Sequence, residues 1–281
     1  MRLLPHILSM AAITALLSVL AFLPFLPGPY DGLAVPVSGM AQFLGICGLL
    51  LVPIGAIWLI CELKRRTGKR CHFAVASVAV LLVFAVVITI SAINSVGYSL
   101  GAGLIALWAF VLSRVLPKLR LLKSAEALAF HPAPLYLVVV PVVTFLIQIT
   151  LMARAAEFGR NRAIENSAPL VQEIEEYRRA NGHYPRSLAG LWQDYRPSVI
   201  GIGQFHYVPS GDAYSVYFEQ PPSFLHLATQ EIVMYNPQDE HSLVSHDSDI
   251  LRWTPEQIRA RPGWYAVRDT SRPHWKRLFF D

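Results

Sequence analysis

Five apolar stretches dominate the first 153 residues of this 281-residue chain. They cover residues 7–26, 37–60, 73–93, 96–116 and 133–153. About 20 mostly apolar residues are enough for a helix to cross the hydrocarbon core of a bilayer. The pattern therefore predicts a multi-pass α-helical membrane domain over residues 1–153, with five transmembrane helices and the lipid bilayer as a partner.

The first stretch shares one feature with a secretory signal peptide, since Arg2 precedes its apolar core. The core is longer than that of a usual signal peptide. It ends in Phe-Leu-Pro-Phe-Leu-Pro at residues 22–27, without a clear pair of small residues for cleavage. These features favour a retained transmembrane helix, with cleavage as the alternative.

Positive charge is confined to alternate connections between the apolar stretches. The ten Lys and Arg residues of 1–153 are Arg2, Lys64, Arg65, Arg66, Lys69, Arg70, Arg114, Lys118, Arg120 and Lys123. They lie at the N-terminus and in the second and fourth connections, whereas the first connection carries only Asp31 and the third carries no charge. Because cytoplasmic loops carry the excess of Lys and Arg, the N-terminus is predicted to be cytoplasmic and residues 154–281 extracytoplasmic. In a Gram-negative bacterium these are the inner membrane and the periplasm.

The predicted spans contain no ionisable residue near their middle, which counts against an ion- or proton-coupled pump. Their polar residues at depth are Thr14, Ser18, Ser77, Thr89, Thr144 and Gln148. Hydroxyl groups are expected to bond their own helix backbone or a neighbour, and Gln148 to bond a facing helix or line a small cavity. Gly45, Gly48 and the Gly97-x-x-x-Gly101 spacing predict close helix packing within the chain, with a homo-oligomer as the alternative use.

The isoelectric point near 9.2 reflects the membrane half alone. Residues 1–153 contain ten Lys and Arg against three Asp and Glu, whereas residues 154–281 contain 14 against 16. A nucleic-acid-binding surface needs clustered positive charge. The slightly acidic balance of the second half therefore counts against a nucleic-acid partner.

Residues 154–281 predict a soluble α+β domain, in which a long helix lies on an antiparallel sheet. Apolar residues at three- and four-residue steps mark the helix, and they are Ile164, Ala168, Val171, Ile174 and Tyr177. The helix is expected to end at the Asn-Gly pair at 181–182, because Gly accepts the left-handed conformation. Alternation with a period of two then predicts a hairpin over 205–219, a strand over 231–235 and a second hairpin over 263–280.

The segment that ends this helix resembles the pilin and type II secretion pseudopilin fold. The resemblance covers about residues 153–219, and it rests on a membrane-emergent helix, a hairpin and the pattern Tyr177-x-x-x-Asn181-Gly182-x-Tyr184-Pro185-x-Ser187-Leu188-x-x-Leu191. It implies a helix packed on a small antiparallel sheet outside the membrane. Pilins carry an N-terminal span with a glutamate inside it, behind a prepilin-peptidase site. Here the span is the fifth of five and residues 133–153 contain no acid, so pilin-like polymerisation is not expected.

One segment of the second half concentrates residues that could ligate a metal or transfer protons: Asp239, Glu240, His241, His246, Asp247 and Asp249. Their spacing matches no metal-binding signature, and a solvated loop is the simpler interpretation. Gly-rich phosphate loops and nucleophile elbows are not found in the sequence. The sequence accordingly assigns no catalytic, cofactor-binding or metal-binding residue and predicts no cofactor.

Three functions remain open at this stage. The favoured one is a non-enzymatic membrane protein that presents an extracytoplasmic domain to a membrane or periplasmic protein partner or to a ligand. The second is a metal-dependent enzyme that uses the 239–249 segment, and the third is a passive channel or carrier for small solutes.

Overall fold

A computed structural model describes residues 4–64, 67–124, 130–191, 194–210, 212–224, 229–241, 243–245, 251–253 and 265–280. The chain divides into two compact units. The first unit, called the helical unit, contains Met1–Phe22 and Pro36–Met152. The second, called the C-terminal unit, contains Leu23–Val35 and Ala153–Asp281.

Long helices account for most of the chain. They are α1 (Leu4–Phe22), α2 (Ala34–Cys47), α3 (Val52–Leu63), α4 (Arg70–Val96), α5 (Tyr98–Ser124), α6 (Ala133–Asn166) and α7 (Ala168–Asn181). A 3₁₀ turn, Gly48–Leu51, joins α2 to α3, so the pair forms one helical segment. Among the residues that the structure describes, five helical segments are long and apolar enough to cross a membrane, in agreement with the predicted number.

Pro53 and Pro141 lie inside predicted spans, where proline is expected to kink a helix because it removes a helical hydrogen bond. Pro53 is the second residue of α3, directly after the 3₁₀ turn, where its missing N–H falls in the first helical turn. Pro141 lies inside α6, which continues through it as one helix from Ala133 to Asn166. The helix of the second span is therefore interrupted just before Pro53, whereas the helix of the fifth span is continuous at Pro141.

Glycines of the second helical segment allow close contact with α6. A Cβ atom on Gly45 would lie 2.2 Å from Oε1 of Gln148, and one on Gly48 would lie 3.2 Å from Cβ of Pro141. Gly55 repeats the pattern, with 2.8 Å to the nearest α6 side-chain atom. The predicted close packing thus occurs between helices of the same chain.

The strands of the C-terminal unit are β1 (His206–Ser210), β2 (Ala213–Gln220), β3 (Gln230–Tyr235), β4 (Leu243–Ser245), β5 (Leu251–Trp253), β6 (Tyr265–Asp269) and β7 (Trp275–Phe280). A five-stranded antiparallel sheet has the order β1-β2-β3-β7-β6, and β4 pairs separately with β5. Both predicted hairpins and the third strand are present. The β4–β5 pair was not predicted, because three-residue strands leave little periodic signal.

The core of the C-terminal unit lies between its helices and one face of the sheet. Tyr214, Val216 and Phe218 of β2 are fully buried and pack with Leu170 and Ile174 of α7 in one apolar cluster. This face of β2 is the one that the alternation predicts. A long helix on an antiparallel sheet is therefore the arrangement within this unit.

The predicted apolar stripe along the helix is wrong in one part. Ile164 and Ile174 are buried as expected, but Ala168 is exposed and Leu170 is fully buried in its place. The cause is the break at Ser167 between α6 and α7, which shifts the phase of the second helix. Pro169 fits such a fresh start, because the first helical turn tolerates proline.

The segment Leu23–Val35 belongs to the C-terminal unit, although the sequence analysis treats it as a connection within residues 1–153. Phe25 is fully buried there. Four backbone hydrogen bonds of 2.8–3.1 Å join the segment to residues 198–201, and they are Gly28 N–H to Ser198 O, Asp31 N–H to Ile200 O, Ile200 N–H to Leu26 O and Gly201 N–H to Pro24 O. The C-terminal unit is thus built from two pieces of chain that are far apart in sequence.

Candidate functional site

The Asn-Gly-x-Tyr-Pro turn that carries the pilin resemblance has a structural use. Gly182 ends α7 in the left-handed conformation with φ of 77°, as predicted, and its N–H donates to Arg178 O at 2.8 Å. Tyr184 is buried, and its hydroxyl receives a hydrogen bond from Arg178 Nη1 at 2.6 Å and donates one to Glu175 at 3.3 Å. The turn therefore fastens the end of α7 to the core.

Tyr184 belongs to a cluster of tyrosines on the sheet. Its ring lies 4.7 Å from that of Tyr214, which also contacts Tyr207 and Tyr235 at 5.9 and 6.0 Å. Burial raises the pKa of Tyr207, Tyr214 and Tyr235 above the ordinary value, and the Glu175 carboxylate adds to each shift. These hydroxyls stay protonated at neutral pH, so the cluster serves packing rather than proton transfer.

Two candidates from the acidic and histidine-rich segment lie together, with a third residue that the sequence analysis did not single out. His241 is fully buried, with Nδ1 at 3.1 Å from Asp239 O and Nε2 at 3.1 Å from His274 O. The His274 ring contacts the Asp239 carboxylate at 3.1 Å near the surface. Burial lowers the pKa of His241. The ring nitrogen that carries the proton donates to one of these two backbone oxygens, which fixes the loop to the sheet.

The other candidates of that segment, His246, Asp247 and Asp249, lie outside the described residues. Within the part of the chain that the structure describes, no group of three or more His, Cys, Asp or Glu side chains is placed to hold a metal ion.

Four of the six polar residues predicted at depth bond neighbouring groups, as expected. The hydroxyl of Thr144, by contrast, has no hydrogen-bond partner among the described residues. The hydroxyls of Ser18, Ser77 and Thr89 donate to backbone oxygens four residues earlier in their own helices. Gln148 is fully buried and donates from Nε2 to Ala41 O of α2 at 3.1 Å, so it bonds a facing helix. These separate contacts do not form a continuous polar path for a solute among the described residues.

A buried ion pair in the helical unit joins the end of α3 to the start of α4. Arg70 donates to both carboxylate oxygens of Glu62 at 2.5 Å, and both side chains are at most 4% exposed. Trp58 Nε1 also donates to Glu62 at 3.0 Å, and its ring stacks on His131 at 5.5 Å. The sequence does not reveal this cluster, because Glu62 and Arg70 lie at the ends of apolar stretches, where charge is common.

The most concentrated polar site lies in the C-terminal unit, where two arginines share one carboxylate. Arg277 of β7 donates from Nε and Nη2 to the two oxygens of Glu231 at 2.6 and 3.1 Å. Arg160 of α6 donates from Nη1 to the same carboxylate at 3.1 Å. The side chains of Arg160 and Glu231 are both only 8% exposed. The two guanidinium groups therefore share the single negative charge of Glu231 inside the C-terminal unit.

This trio lines a cavity of about 150 Å³ that we call the arginine pocket. Its other walls are Ala153, Ala156 and Glu157 of α6, Gln220 at the end of β2, and residues 221–223 and 229. Gln220 is 5% exposed and donates from Nε2 to Ala156 O at 3.0 Å. Its Oε1 atom has no hydrogen-bond partner among the described residues. A buried acceptor without a donor is costly, so this atom marks a place for a polar ligand or water.

Sequence reasoning could not find the arginine pocket. Glu231 pairs with residues 71 positions before it and 46 positions after it. Each of the three looks like an ordinary charged residue on its own element. The antiparallel register of β3 with β7 places Val233 opposite Arg277 and Glu231 opposite Phe279. Glu231 and Arg277 are therefore diagonal neighbours on one face of the sheet.

A second, open cavity of about 530 Å³ lies along α7 and the segment after the turn, and we call it the α7 groove. Glu173, Glu176, Tyr177 and Tyr195 line it. The Tyr195 hydroxyl donates to Glu173, and this hydrogen bond together with burial raises the pKa of Tyr195 to about 12. The groove combines negative charge with aromatic surface.

Comparison with known proteins adds no family: no family model, curated protein or solved structure matches the chain.

Proposed function

We propose that this protein is a multi-pass inner-membrane protein that holds its C-terminal α+β domain on the extracytoplasmic side, where the domain binds a partner or ligand. The proposal assigns it no catalytic reaction. The N-terminus lies in the cytoplasm in this arrangement.

The observation that supports the proposal best is the packing of Leu23–Val35 into the C-terminal unit. Four of the five candidate spans lie between that segment and Ala153. An even number of crossings returns the chain to the side from which it started. The segment and the domain must share a side for their hydrogen bonds to form, which agrees with five crossings and with positive charge on the opposite side.

Binding is favoured over catalysis by the way that the polar groups are used. His241 is held between two backbone oxygens, and the tyrosine cluster stays protonated. The α7 groove, by contrast, is open and carries two carboxylates beside aromatic rings. We assign it to a protein partner with a basic segment, since complementary charge guides association.

The sidedness can be tested by cysteine labelling in intact cells. The native residues Cys47, Cys61 and Cys71 are replaced by Ser, and single cysteines are placed at exposed Arg186 and at exposed Gly68. A membrane-impermeant maleimide should label position 186 in intact cells and position 68 only after permeabilisation. The reverse pattern would overturn the proposed orientation.

Partner binding can be tested by photocrosslinking from the α7 groove. A photoreactive residue at exposed Gln172 should give one recurrent adduct in cells, and the same residue at exposed Arg272, away from the groove, should not. Identical adducts from both positions would contradict the assignment of the groove.

A further inference from the structure

We propose that the arginine pocket binds a group that carries an anionic oxygen beside an ammonium, and that its source is the head group of a zwitterionic lipid such as phosphatidylethanolamine. This inference rests on the proposed function, because it requires α6 to leave a bilayer near residue 153. The inference names a ligand for the arginine pocket, which lies within the C-terminal unit.

The lining of the pocket carries both signs of charge in equal number. Arg160 and Arg277 are positive, and Glu157 and Glu231 are negative. A simple anion would meet two carboxylates there, and a simple cation would meet two guanidinium groups. A ligand with both charges can pair with the guanidinium groups and with the carboxylates. The balance of charge therefore favours a zwitterion.

The hydrogen-bonding groups that remain match such a ligand. A guanidinium has five N–H donors, and Arg160 uses one of them in a hydrogen bond among the described residues. Its remaining donors suit phosphate oxygens, which arginine binds well. The orphaned Oε1 of Gln220 and the exposed carboxylate of Glu157 are acceptors, and an ammonium group offers three donors.

Size also agrees with a head group. The cavity of about 150 Å³ is too small for a large metabolite. It holds about five water volumes, at roughly 30 Å³ each. A phosphate with a two-carbon amine is of this order, and the acyl chains of the lipid would remain outside.

The position of the pocket along α6 favours a lipid over a free solute. Ala153 and Ala156 line it, the first as the last residue of the apolar stretch and the second three residues beyond its end. With a rise of about 1.5 Å per residue, Ala156 lies roughly 5 Å beyond that end. The polar layer of a bilayer is about 5–8 Å thick on each side. Head groups of the outer leaflet would therefore meet the pocket at their own depth.

Lipid retention by the full-length protein tests the inference. The purified protein is mixed in detergent with equal amounts of phosphatidylethanolamine, phosphatidylcholine and phosphatidylglycerol with identical acyl chains. Bound lipid is then counted by native mass spectrometry. Phosphatidylcholine lacks the ammonium N–H donors, and phosphatidylglycerol lacks the ammonium. We expect phosphatidylethanolamine to be retained about tenfold over either competitor, the size of one or two charge-assisted hydrogen bonds.

Two variants and a matched control connect this preference with the pocket. Arg160→Gln removes the guanidinium charge and most of its N–H donors while Arg277 still pairs with Glu231. Gln220→Met removes the orphaned acceptor at similar volume. In both variants the ratio of retained phosphatidylethanolamine to either competitor lipid should fall close to one. The thermal unfolding midpoint shows that each variant is folded. Arg272→Gln loses the same charge from an exposed ion pair with Glu165 and should keep the preference.

A second arm distinguishes the lipid from a soluble source. Free phosphoethanolamine at millimolar concentration should displace part of the bound phosphatidylethanolamine. Binding of the free compound without any lipid preference would support the ammonium–anion chemistry and overturn the lipid as its source. Equal retention of all three lipids together with no binding of phosphoethanolamine would overturn the inference.

Failure of this inference and failure of the proposed function give different results. Lipid retention in detergent does not depend on sidedness, whereas cysteine labelling does not depend on the pocket. Correct labelling with no lipid preference would remove the head-group site alone. A lipid preference with reversed labelling would retain the site and remove the proposed orientation.

Discussion

The backbone oxygen of Phe25 lies 2.9 Å from the point where a Cβ atom would stand on Gly159. The Cα atom of Phe25 is 3.1 Å from the same point. A side chain on Gly159 would therefore collide with main-chain atoms of the segment Leu23–Val35, which cannot rotate away as a flexible side chain can. The absence of a side chain on one residue of α6 allows this segment to be part of the C-terminal unit.

We predict that Gly159→Ala loosens this contact and destabilises the domain. The cost should be about 1–3 kcal/mol, as for other overpacked sites. It is measured as a lower thermal unfolding midpoint of the full chain in detergent. Gly190→Ala is the matched control, because nothing lies within 4 Å of the Cβ position there. Equal midpoints for the two variants would contradict the tight contact with Phe25.

The role of Leu23–Val35 shows where sequence reasoning stops. Hydropathy predicts five apolar helices because each one is a local property of about 20 residues. The pairing of Gly28 with Ser198 is a contact between positions 170 residues apart, and neither stretch has a periodic pattern of its own. An irregular segment of this kind shows its partner only when the chain is folded.

The same limit applies to the polar sites. Gly182 and the alternation of β2 are predictable because one turn or one strand contains the whole signal. Glu231 is part of a polar site because it pairs with Arg160 of α6 and with Arg277 of β7. Charged residues on separate elements become a site through sheet register and helix packing, and neither can be deduced from spacing along the chain.

Removal of the shared carboxylate should be costly. Glu231→Gln leaves the buried Arg160 and the mostly buried Arg277 without their shared carboxylate. Breaking a buried ion pair in this way destabilises by about 3–5 kcal/mol. Denaturant unfolding of the full chain in detergent measures the loss.

The matched control for this prediction is Glu165→Gln. It breaks an ion pair with Arg272 in which both side chains are 48% exposed. Exposed pairs contribute about 0–1 kcal/mol. If Glu231→Gln cost no more than this control, the shared carboxylate would have no special structural role.

Acid should weaken the C-terminal unit through His241. Burial lowers the pKa of His241, Lys276 lowers it further, and the carbonyls of Asp239 and His274 oppose the shift in part. The folded protein then binds fewer protons at this ring than the unfolded chain. Its contribution to stability is complete above the unfolded pKa of about 6.5 and is lost as the pH falls toward the lower folded pKa.

This prediction is checked by comparing thermal unfolding midpoints at about pH 7.5 and about pH 5.5, on either side of the ordinary histidine pKa. The wild-type midpoint should fall at the lower pH. His241→Gln should lower stability at both values and reduce the difference between them, whereas His183→Gln, at an exposed position, should keep the wild-type difference. An unchanged difference in His241→Gln would assign the acid response to another group.

The helical unit should depend on Gly55, whereas Gly103 of α5 should tolerate a side chain. A Cβ atom on Gly55 would lie 2.8 Å from Cβ of Leu137 and 3.2 Å from the backbone oxygen of Pro134. Gly55→Val should separate α3 from α6 and cost about 1–3 kcal/mol. Size-exclusion chromatography after graded heating measures this as earlier loss of the monodisperse peak. Gly103→Val adds the same side chain in α5, where nothing lies within 4 Å of the Cβ position, and should behave like the wild type. Greater loss for Gly103→Val would instead place the important contact of the glycines outside the chain, as in a homo-oligomer.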